Sequence, residues 1–253
     1  MEYNLTDVMA ERNNKTVYFD NGRTIKLFKD HYSKAQILNE ALIHARVEED
    51  TDLTIPKLQE VTKINDRWAI VLDHIYGKNL QNLMDENPEK IDEYLELFIN
   101  IQKEVLSKKV PMLGRIKEKF RRKLTSTDLI DNGTKYELLQ RLEGMQNKFC
   151  LCHGDFNPSN IIIDDKGDWH VIDWAHATQG NEEADAARTY LLFCMDGKND
   201  IGAKYLNLFS EKLNVNKNEI LRWIPIVAAT QYTKNREEEK QFLEKWFNVV
   251  EYM

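Results

Sequence analysis

The chain has 253 residues, of which 42% are hydrophobic and 30% are charged, a composition typical of a globular protein with one large domain or two lobes. Its formal net charge of −7 argues against a nucleic-acid binder that relies on general attraction to phosphate. No basic flank precedes an apolar core at the N-terminus, and no apolar run reaches the roughly 18 residues of a membrane span. A cytoplasmic protein, neither secreted nor in a membrane, is the expectation.

Two β-hairpins and a helix are predicted in the first third of the chain. The segments "TVYF" (residues 16–19) and "TIKLF" (residues 24–28) flank Asn21-Gly22, a pair that suits the positive φ angles of a tight turn. Ser33 is a candidate N-cap for a helix that continues to Val47, because apolar residues follow it at helical spacing. The segments "KLQEVTKI" and "RWAIVL" then flank Asn65-Asp66, which predicts the second hairpin.

Helical patterns replace the strands after Gly77. They include "EYLELFINIQKEVL", "KYELLQRLEGMQ" and several further stretches from Ala184 onward. This shift predicts an α+β protein with a small lobe at residues 1–76, made of an antiparallel sheet and one helix. A larger, mainly helical lobe is predicted at residues 77–253.

Two local features have more than one interpretation. The chain has an odd number of cysteines, which does not indicate a disulfide framework: Cys150, Cys152 and Cys194. Cys150 and Cys152 next to His153 could bind a metal, but the spacing does not fit a zinc finger, so buried thiols are favoured. The basic segment at residues 108–123 could contact phosphate on a partner or a substrate, or could be a solvated helix face.

The stretch "LCHGDFNPSNIIID" (residues 151–164) contains the residues with the clearest chemical meaning. Asp155 and Asn160 lie five apart before a predicted strand, and Asp173 follows the next strand. Phosphoryl transfer uses a carboxylate that takes the hydroxyl proton, together with an amide and a second carboxylate that hold Mg²⁺ at the phosphates. The order His-x-Asp-x4-Asn followed by a metal-binding Asp is the shared kinase signature, with Asp155 as base and Asn160 and Asp173 as metal ligands.

The motifs "HGDFNPSNIIID", "VIDWAHATQG" and "ADAAR" resemble the aminoglycoside phosphotransferase and choline kinase-like family, within the protein-kinase-like fold. The resemblance also includes "IPKLQEV" and "VLDHIYGKNL", and so extends over roughly residues 5–195. It implies a bilobal protein-kinase-like fold with ATP at the hinge, Mg²⁺ as cofactor, and transfer of the γ-phosphoryl group to the hydroxyl of a small-molecule acceptor.

The resemblance also assigns nucleotide-binding residues in the first lobe. Lys26 matches the lysine that contacts the α and β phosphates, and Glu40 matches its ion-pair partner. The backbone of Asp73, His74 and Ile75 is expected to bind the adenine edge. The alternatives are a solvated strand lysine for Lys26 and a surface charge for Glu40.

Two residues near Asp155 are expected to support the loop. His153 is predicted to stabilise it by hydrogen bonding rather than to act as a base. Asp185, in "EADAAR", is predicted to cap a helix or brace the catalytic loop.

The loop that should cover the phosphates, near residues 10–18, contains no glycine. Asn13, Asn14 or Lys15 are proposed as side-chain donors to phosphate in its place. The same gap leaves open a second function, a nucleotide-binding regulatory module without strong catalysis. A protein kinase is disfavoured because no Ala-Pro-Glu segment follows "IDW".

The acceptor is predicted from acidic and aromatic residues in the second half of the chain. Acidic residues occur at Glu182, Glu183 and Asp185 and at residues 237–239, and Trp174 and Trp223 lie in the same half of the chain. Such groups could hold a cationic amino sugar or amino alcohol by charge pairing and cation–π contact. The alternatives are solvated helix faces and a neutral sugar as the acceptor.

Overall fold

The structure is a computed structural model that describes residues 3–247. Its strands, in chain order, are β1 Asp7–Glu11, β2 Lys15–Asp20, β3 Arg23–Phe28, β4 Leu58–Ile64, β5 Arg67–Asp73, β6 Lys78–Asn79, β7 Cys150–Cys152, β8 Ile161–Ile163, β9 Trp169–Val171 and β10 Thr178–Gly180. Its α-helices are α1 Lys34–Asp50, α2 Leu80–Glu86, α3 Ile91–Ser107, α4 Ile116–Thr125, α5 Asn132–Gly144, α6 Glu182–Met195, α7 Asn199–Leu213, α8 Lys217–Tyr232 and α9 Glu237–Phe247.

Backbone contacts divide these elements into two units. The first unit comprises the residues up to Lys90 together with Pro158–His176, and the second comprises Ile91–Asn157 and the residues from Ala177 onward. The predicted α+β class, with an antiparallel sheet and many helices, is confirmed. The lobe boundary placed at Gly77 by the sequence stays a prediction.

The first unit contains an antiparallel five-stranded sheet in the order β1-β2-β3-β5-β4. Both predicted hairpins occur in it. Asn21 and Gly22 have φ angles of 49° and 77°, and Asn65 and Asp66 have φ angles of 49° and 63°. Asparagine, aspartate and glycine tolerate the left-handed region better than other residues, so these turns form where the sequence placed them.

Alternation along β3 places Lys26 on the face that packs against α1. Ile25 and Leu27 belong to one apolar cluster, whereas Phe28 packs with Ile37 of α1 on the opposite face. Successive strand side chains point to opposite faces, so Lys26 shares the face of Phe28. Helix α1 begins after Ser33, which forms the predicted N-cap within a capping box.

A small sheet in the order β6-β8-β9 completes the first unit. Gly77 immediately precedes β6 and has a φ of 147°, and a Cβ at this position would overlap the Ile163 carbonyl group. Glycine is therefore required where the chain passes β8. The β8–β9 hairpin pairs Ile161 with Val171.

The second unit is mainly helical, with one short antiparallel pair, β7 and β10. Its interior includes a cluster of aromatic rings from α3, α6, α7 and the segment after β7, formed by Phe98, Phe156, Phe193, Tyr205 and Phe209. The three cysteines are free thiols, and burial raises the pKa of the Cys150 thiol to about 12. Within residues 3–247, no helix is both long enough and apolar enough to cross a membrane.

Candidate active site

A cluster of two lysines and two carboxylates lies inside the first unit. Lys26 Nζ lies 3.0 Å from Glu40 Oε1 and 2.8 Å from Asp173 Oδ1. Lys15 Nζ lies 2.9 Å from the same Glu40 oxygen and 3.7 Å from Asp173 Oδ1. Three residues predicted from distant parts of the sequence therefore meet in one cluster, and Lys15 joins them.

Burial and charge have opposite effects on this cluster. Burial alone would lower the pKa of Lys26, but Asp173 and Glu40 together raise that pKa above its ordinary value. The Lys26 ammonium in turn holds the pKa of Asp173 far below the usual range of a carboxyl group. Burial raises the pKa of Glu40, but Lys26 and Lys15 outweigh it and lower the pKa overall. Lys26, Glu40 and Asp173 are therefore charged at neutral pH.

Asn160 and Asp173 lie at the same end of the β8–β9 hairpin. The Ile172 N–H donates to the Asn160 carbonyl oxygen over 3.0 Å, and Asp173 follows directly. Asp173 has a left-handed φ of 62°, a conformation that is uncommon for residues other than glycine but that aspartate tolerates better than most. Its side chain is 37% exposed, which leaves the carboxylate accessible to a ligand.

The donor set at this end of the hairpin fits Mg²⁺. An amide oxygen and a carboxylate are hard oxygen ligands, and Mg²⁺ is usually bound by one or two carboxylates together with substrate phosphates and water. Among residues 3–247, no group of three or more His, Cys, Asp and Glu side chains is arranged as a cage for a metal. A site at Asn160 and Asp173 would therefore need phosphate oxygens to complete it.

The predicted adenine-binding segment lies at the end of β5. The Asp73 N–H donates to the Lys57 carbonyl over 2.9 Å, and the His74 N–H donates to the Gly22 carbonyl over 2.8 Å. These two N–H groups are used within the sheet, so the Ile75 N–H and the carbonyl groups of the segment are the candidates for adenine. Burial lowers the pKa of His74, which keeps its ring neutral at pH 7.

The glycine-free loop is a tight turn between β1 and β2. It is closed by the Arg12 N–H, which donates to the Lys15 carbonyl over 2.9 Å. The Asn14 side chain hydrogen-bonds to Tyr32, and the Lys15 ammonium points to Glu40. Asn13 is the exposed member of the three proposed phosphate donors, and its role stays a prediction.

Asp155 belongs to the second unit, where α6 holds its loop. Asp185, Arg188 and Thr189 lie on one face of α6, because residues three and four apart on a helix are neighbours. Asp185 Oδ1 accepts from the Gly154 N–H over 2.7 Å, and Arg188 Nη2 donates to Asp155 Oδ1 over 3.1 Å.

The third residue of this face, Thr189, donates from its hydroxyl group to the Phe156 carbonyl over 2.8 Å. One helix face thus fixes three consecutive loop residues, Gly154, Asp155 and Phe156.

The supporting residues are themselves buried and hydrogen-bonded. Burial raises the pKa of Asp185, whose second oxygen accepts from Gln102 Nε2 over 3.2 Å. Tyr205 donates to Gln102 Oε1 over 2.7 Å. His153 is fully buried, and its Nδ1 accepts from the Asp155 N–H over 3.3 Å. Asp185 and His153 therefore have the structural contacts predicted for them.

Sequence reasoning missed Arg188, Thr189 and Gln102. The signal for the first two was present, since "ADAART" places them three and four residues after Asp185 on a helix. Gln102 lies more than eighty residues from Asp185 and had no comparable signal in the sequence.

The sequence profile of the phosphotransferase enzyme family matches residues 87–214. Because the match includes half of the chain, the chain belongs to this family and is a phosphotransferase with an alcohol group as acceptor. No curated protein matches the sequence.

Solved structures with the same fold cover almost all of the chain. A thermostable mutant of aminoglycoside phosphotransferase APH(4)-Ia, in its apo form, aligns with a TM-score of 0.71 and 11% identity over 96% of this chain and 92% of that chain. An aminoglycoside-3'-phosphotransferase of type VIII aligns with a TM-score of 0.65 and 13% identity over 90% and 93%. ADP-bound APH(2'')-Ib aligns with a TM-score of 0.64 and 16% identity over 98% and 93%. At these identities the likeness establishes the fold.

Proposed function

We propose that the protein is an ATP-dependent kinase that transfers the γ-phosphoryl group to a hydroxyl group of a small molecule. The observation that supports this most directly is the pairing of Lys26 with both Glu40 and Asp173. A lysine held by a glutamate on the following helix, next to a metal-binding aspartate, is the arrangement that phosphoryl transfer requires in kinases.

The proposed reaction assigns one role to each residue. Asp155 accepts the proton of the acceptor hydroxyl as its oxygen forms a bond to the γ-phosphorus, and the bond from that phosphorus to the bridging oxygen of ADP breaks. Lys26 neutralises negative charge on the α and β phosphates. The segment Asp73–Ile75 binds the adenine edge and places the nucleotide.

Asn160 and Asp173 are the proposed ligands of Mg²⁺. The ion, when bound, offsets negative charge on the phosphate oxygens as the phosphoryl group is transferred. Asp173 is suited to this role because Lys26 holds its pKa so low that it stays ionised throughout the physiological range.

Related folds support nucleotide use. The thermostable APH(4)-Ia has been solved as a ternary complex with ADP and hygromycin B, and a 2'-phosphotransferase of similar fold has been solved with GDP. These ligands support a nucleotide donor and a small acceptor for this chain. The choice between ATP and GTP, the use of Mg²⁺ and a cytoplasmic location stay predictions.

The test is Asp155→Asn, with Asp128→Asn as a control at an exposed position of the same unit. Loss of the base is expected to reduce kcat by about two to four orders of magnitude, with nearly unchanged nucleotide affinity. Steady-state kinetics and calorimetry measure the two quantities separately. Full turnover in Asp155→Asn would exclude Asp155 as the base, whereas a parent protein that binds nucleotide without any turnover would favour the alternative function as a nucleotide-binding regulatory module.

The acidic residues that suggested a cationic acceptor have other contacts. Glu182 and Glu183 pair with Lys148, and Asp185 anchors the Gly154 N–H. Glu239 pairs with Arg236.

The aromatic residues of that prediction, Trp174 and Trp223, are buried. The cationic amino sugar or amino alcohol therefore loses its original support. A neutral sugar stays an alternative. The charge of the preferred acceptor has to be inferred from the groups around Asp155.

A further inference from the structure

Three lysines of the second unit interact electrostatically with Arg188, and two of them, Lys119 and Lys234, also interact with Asp155. Arg188 is hydrogen-bonded to Asp155 through Nη2. Lys119 and Lys123 lie one turn apart on α4 and so share a face of that helix. Lys234 follows the end of α8. These residues come from three separate elements, so no pattern in the sequence indicates that they meet.

Helix α8 packs against both α4 and α6, and the charges of the four groups affect the pKa values of the lysines, so the four groups share one space. The pKa of Lys119 is lowered to about 7 by burial and by repulsion from Lys123 and Arg188. Burial likewise lowers the pKa of Lys234 to about 7, with Arg188 as the next contributor and Asp155 acting against it. The pKa of Lys123 is lowered to about 8 by burial and by repulsion from Arg188 and Arg122.

Negative charge is scarce around this cluster. Asp155 and the buried Asp185 are the carboxylates that act on Lys119. Neither Lys123 nor Lys234 has an ion-pair partner among residues 3–247. Arg188 is 9% exposed, and its Nη1 is buried without a hydrogen-bond partner in the same part of the chain. Burial of Arg188 and partial burial of Lys123 and Lys234 without such partners cost free energy, which an anion at this place would offset.

We propose that the acceptor phosphorylated at Asp155 is an anion: a small hydroxyl compound with a carboxylate or phosphate group, held by Arg188, Lys123 and Lys234. This inference rests on the proposed function, in which Asp155 takes the proton of the acceptor hydroxyl. An oxyanion supplies acceptors for the donors of arginine and lysine, and these charge-assisted hydrogen bonds are stronger than neutral ones. The basic segment at residues 108–123 then contacts the substrate through Lys119 and Lys123.

The test measures anion binding without knowledge of the true acceptor. The protein is first saturated with Mg²⁺ and a non-hydrolysable ATP analogue, so that a further anion cannot enter the nucleotide site. Sulfate is then titrated by calorimetry into the parent protein, Lys123→Gln and Lys234→Gln. Lys240→Gln is the control, because Lys240 is a lysine of α9 that already pairs with Glu237.

Sulfate is expected to bind the parent and the Lys240→Gln control equally. Lys123→Gln and Lys234→Gln should each weaken sulfate about tenfold, which corresponds to roughly 1.4 kcal/mol. Lys123→Arg and Lys234→Arg should restore most of the affinity, because they keep the charge. Sulfate affinity that is absent from the parent, or equal in all variants, would overturn the inference, as would variants that weaken the nucleotide analogue rather than sulfate.

A panel of matched acceptors gives the second readout. Glycerate, glycerol and aminopropanediol differ at one carbon, and the anion is expected to have the highest kcat/KM of the three. A preference for aminopropanediol or glycerol would reject the anionic acceptor while leaving the kinase function intact. Failure of the protein to bind the ATP analogue would count instead against the proposed function.

Discussion

Among single residues, the two lysines of the buried cluster, Lys26 and Lys15, differ in their distance from Asp173. Both contact Glu40, but Lys26 Nζ is 2.8 Å from Asp173 Oδ1 and Lys15 Nζ is 3.7 Å from it. Their strands are adjacent, and the two lysines extend into the cluster from different registers of the sheet. The geometry therefore gives Lys26 the closer contact with Asp173, the proposed metal ligand.

We expect Lys26→Met to lower kcat/KM for ATP by about two to three orders of magnitude, because a charge placed at the phosphates is lost from a site shielded from water. Lys15→Met should have a clearly smaller effect, since Lys26 still neutralises both carboxylates. Steady-state kinetics at varied ATP concentration measures both variants. An equal or larger loss for Lys15→Met would show that the phosphate-binding lysine has been assigned to the wrong strand.

His44 gives a prediction about acid stability. It is buried in α1, and its Nε2 lies 2.6 Å from the Pro56 carbonyl oxygen. Burial lowers the pKa of His44 below the ordinary value of 6.5. The unfolded chain therefore takes up a proton at a higher pH than the folded protein, so stability is present above about pH 6.5 and is lost as the pH falls through the folded pKa.

His44→Gln is expected to keep a donor to Pro56 and to reduce the fall in melting temperature between pH 7 and pH 5. His31→Gln, at an exposed histidine, is the matched control. Thermal unfolding at several pH values compares the three proteins. The same acid sensitivity in His44→Gln and in the parent would mean that His44 is not responsible.

At the scale of elements, α6 holds the loop that contains Asp155, the proposed base. The hydrogen bond from Thr189 to the Phe156 carbonyl is buried, so its removal leaves an acceptor without a partner. Thr189→Val is nearly isosteric and should reduce stability by about 1–3 kcal/mol. We also expect kcat to fall about tenfold with little change in KM, because the loop would hold Asp155 less precisely.

Thr189→Ser restores the hydroxyl group and should recover kcat. Denaturant unfolding measures stability, and kinetics at saturating substrate measures turnover. A variant with lower stability and unchanged kcat would limit Thr189 to a structural role.

The elements differ in how well the sequence predicted them. The turns at Asn21-Gly22 and Asn65-Asp66 and the Ser33 cap depend on a few adjacent residues, so local chemistry was sufficient to find them. The pairing of β7 with β10 joins three-residue segments more than twenty residues apart, and so short a strand has no periodicity to detect.

The site shows the same difference. Asp155, Asn160 and Asp173 were proposed because a fixed spacing links them, and their catalytic roles stay predictions. Lys234 and Lys123 lie more than one hundred residues apart, and only tertiary packing brings their charges together.

For the molecule as a whole, ligand binding should appear as added stability. A ligand at about one hundred times its Kd stabilises a folded protein by roughly 2.7 kcal/mol if it does not bind the unfolded chain. We expect a non-hydrolysable ATP analogue to raise the melting temperature more with Mg²⁺ than with a chelator. The difference between the two conditions reports the metal-dependent part of binding.

Asp173→Asn should remove that difference, because it replaces the proposed carboxylate ligand of Mg²⁺. Asp165→Asn, at an exposed carboxylate in the turn of the same hairpin, should retain it. Thermal unfolding of the three proteins in both conditions is the measurement. A full magnesium-dependent shift in Asp173→Asn would exclude Asp173 from the metal site.

The division of the chain into units affects how this gene could recombine with that of a relative. The first unit is built from two separate stretches, the residues up to Lys90 and Pro158–His176. A single crossover near residue 90 would take Lys26 and Glu40 from one parent and Asp173 from the other. The charged residues of the buried cluster would then come from two different parents and would have to remain complementary. Viable chimaeras should therefore exchange both stretches together.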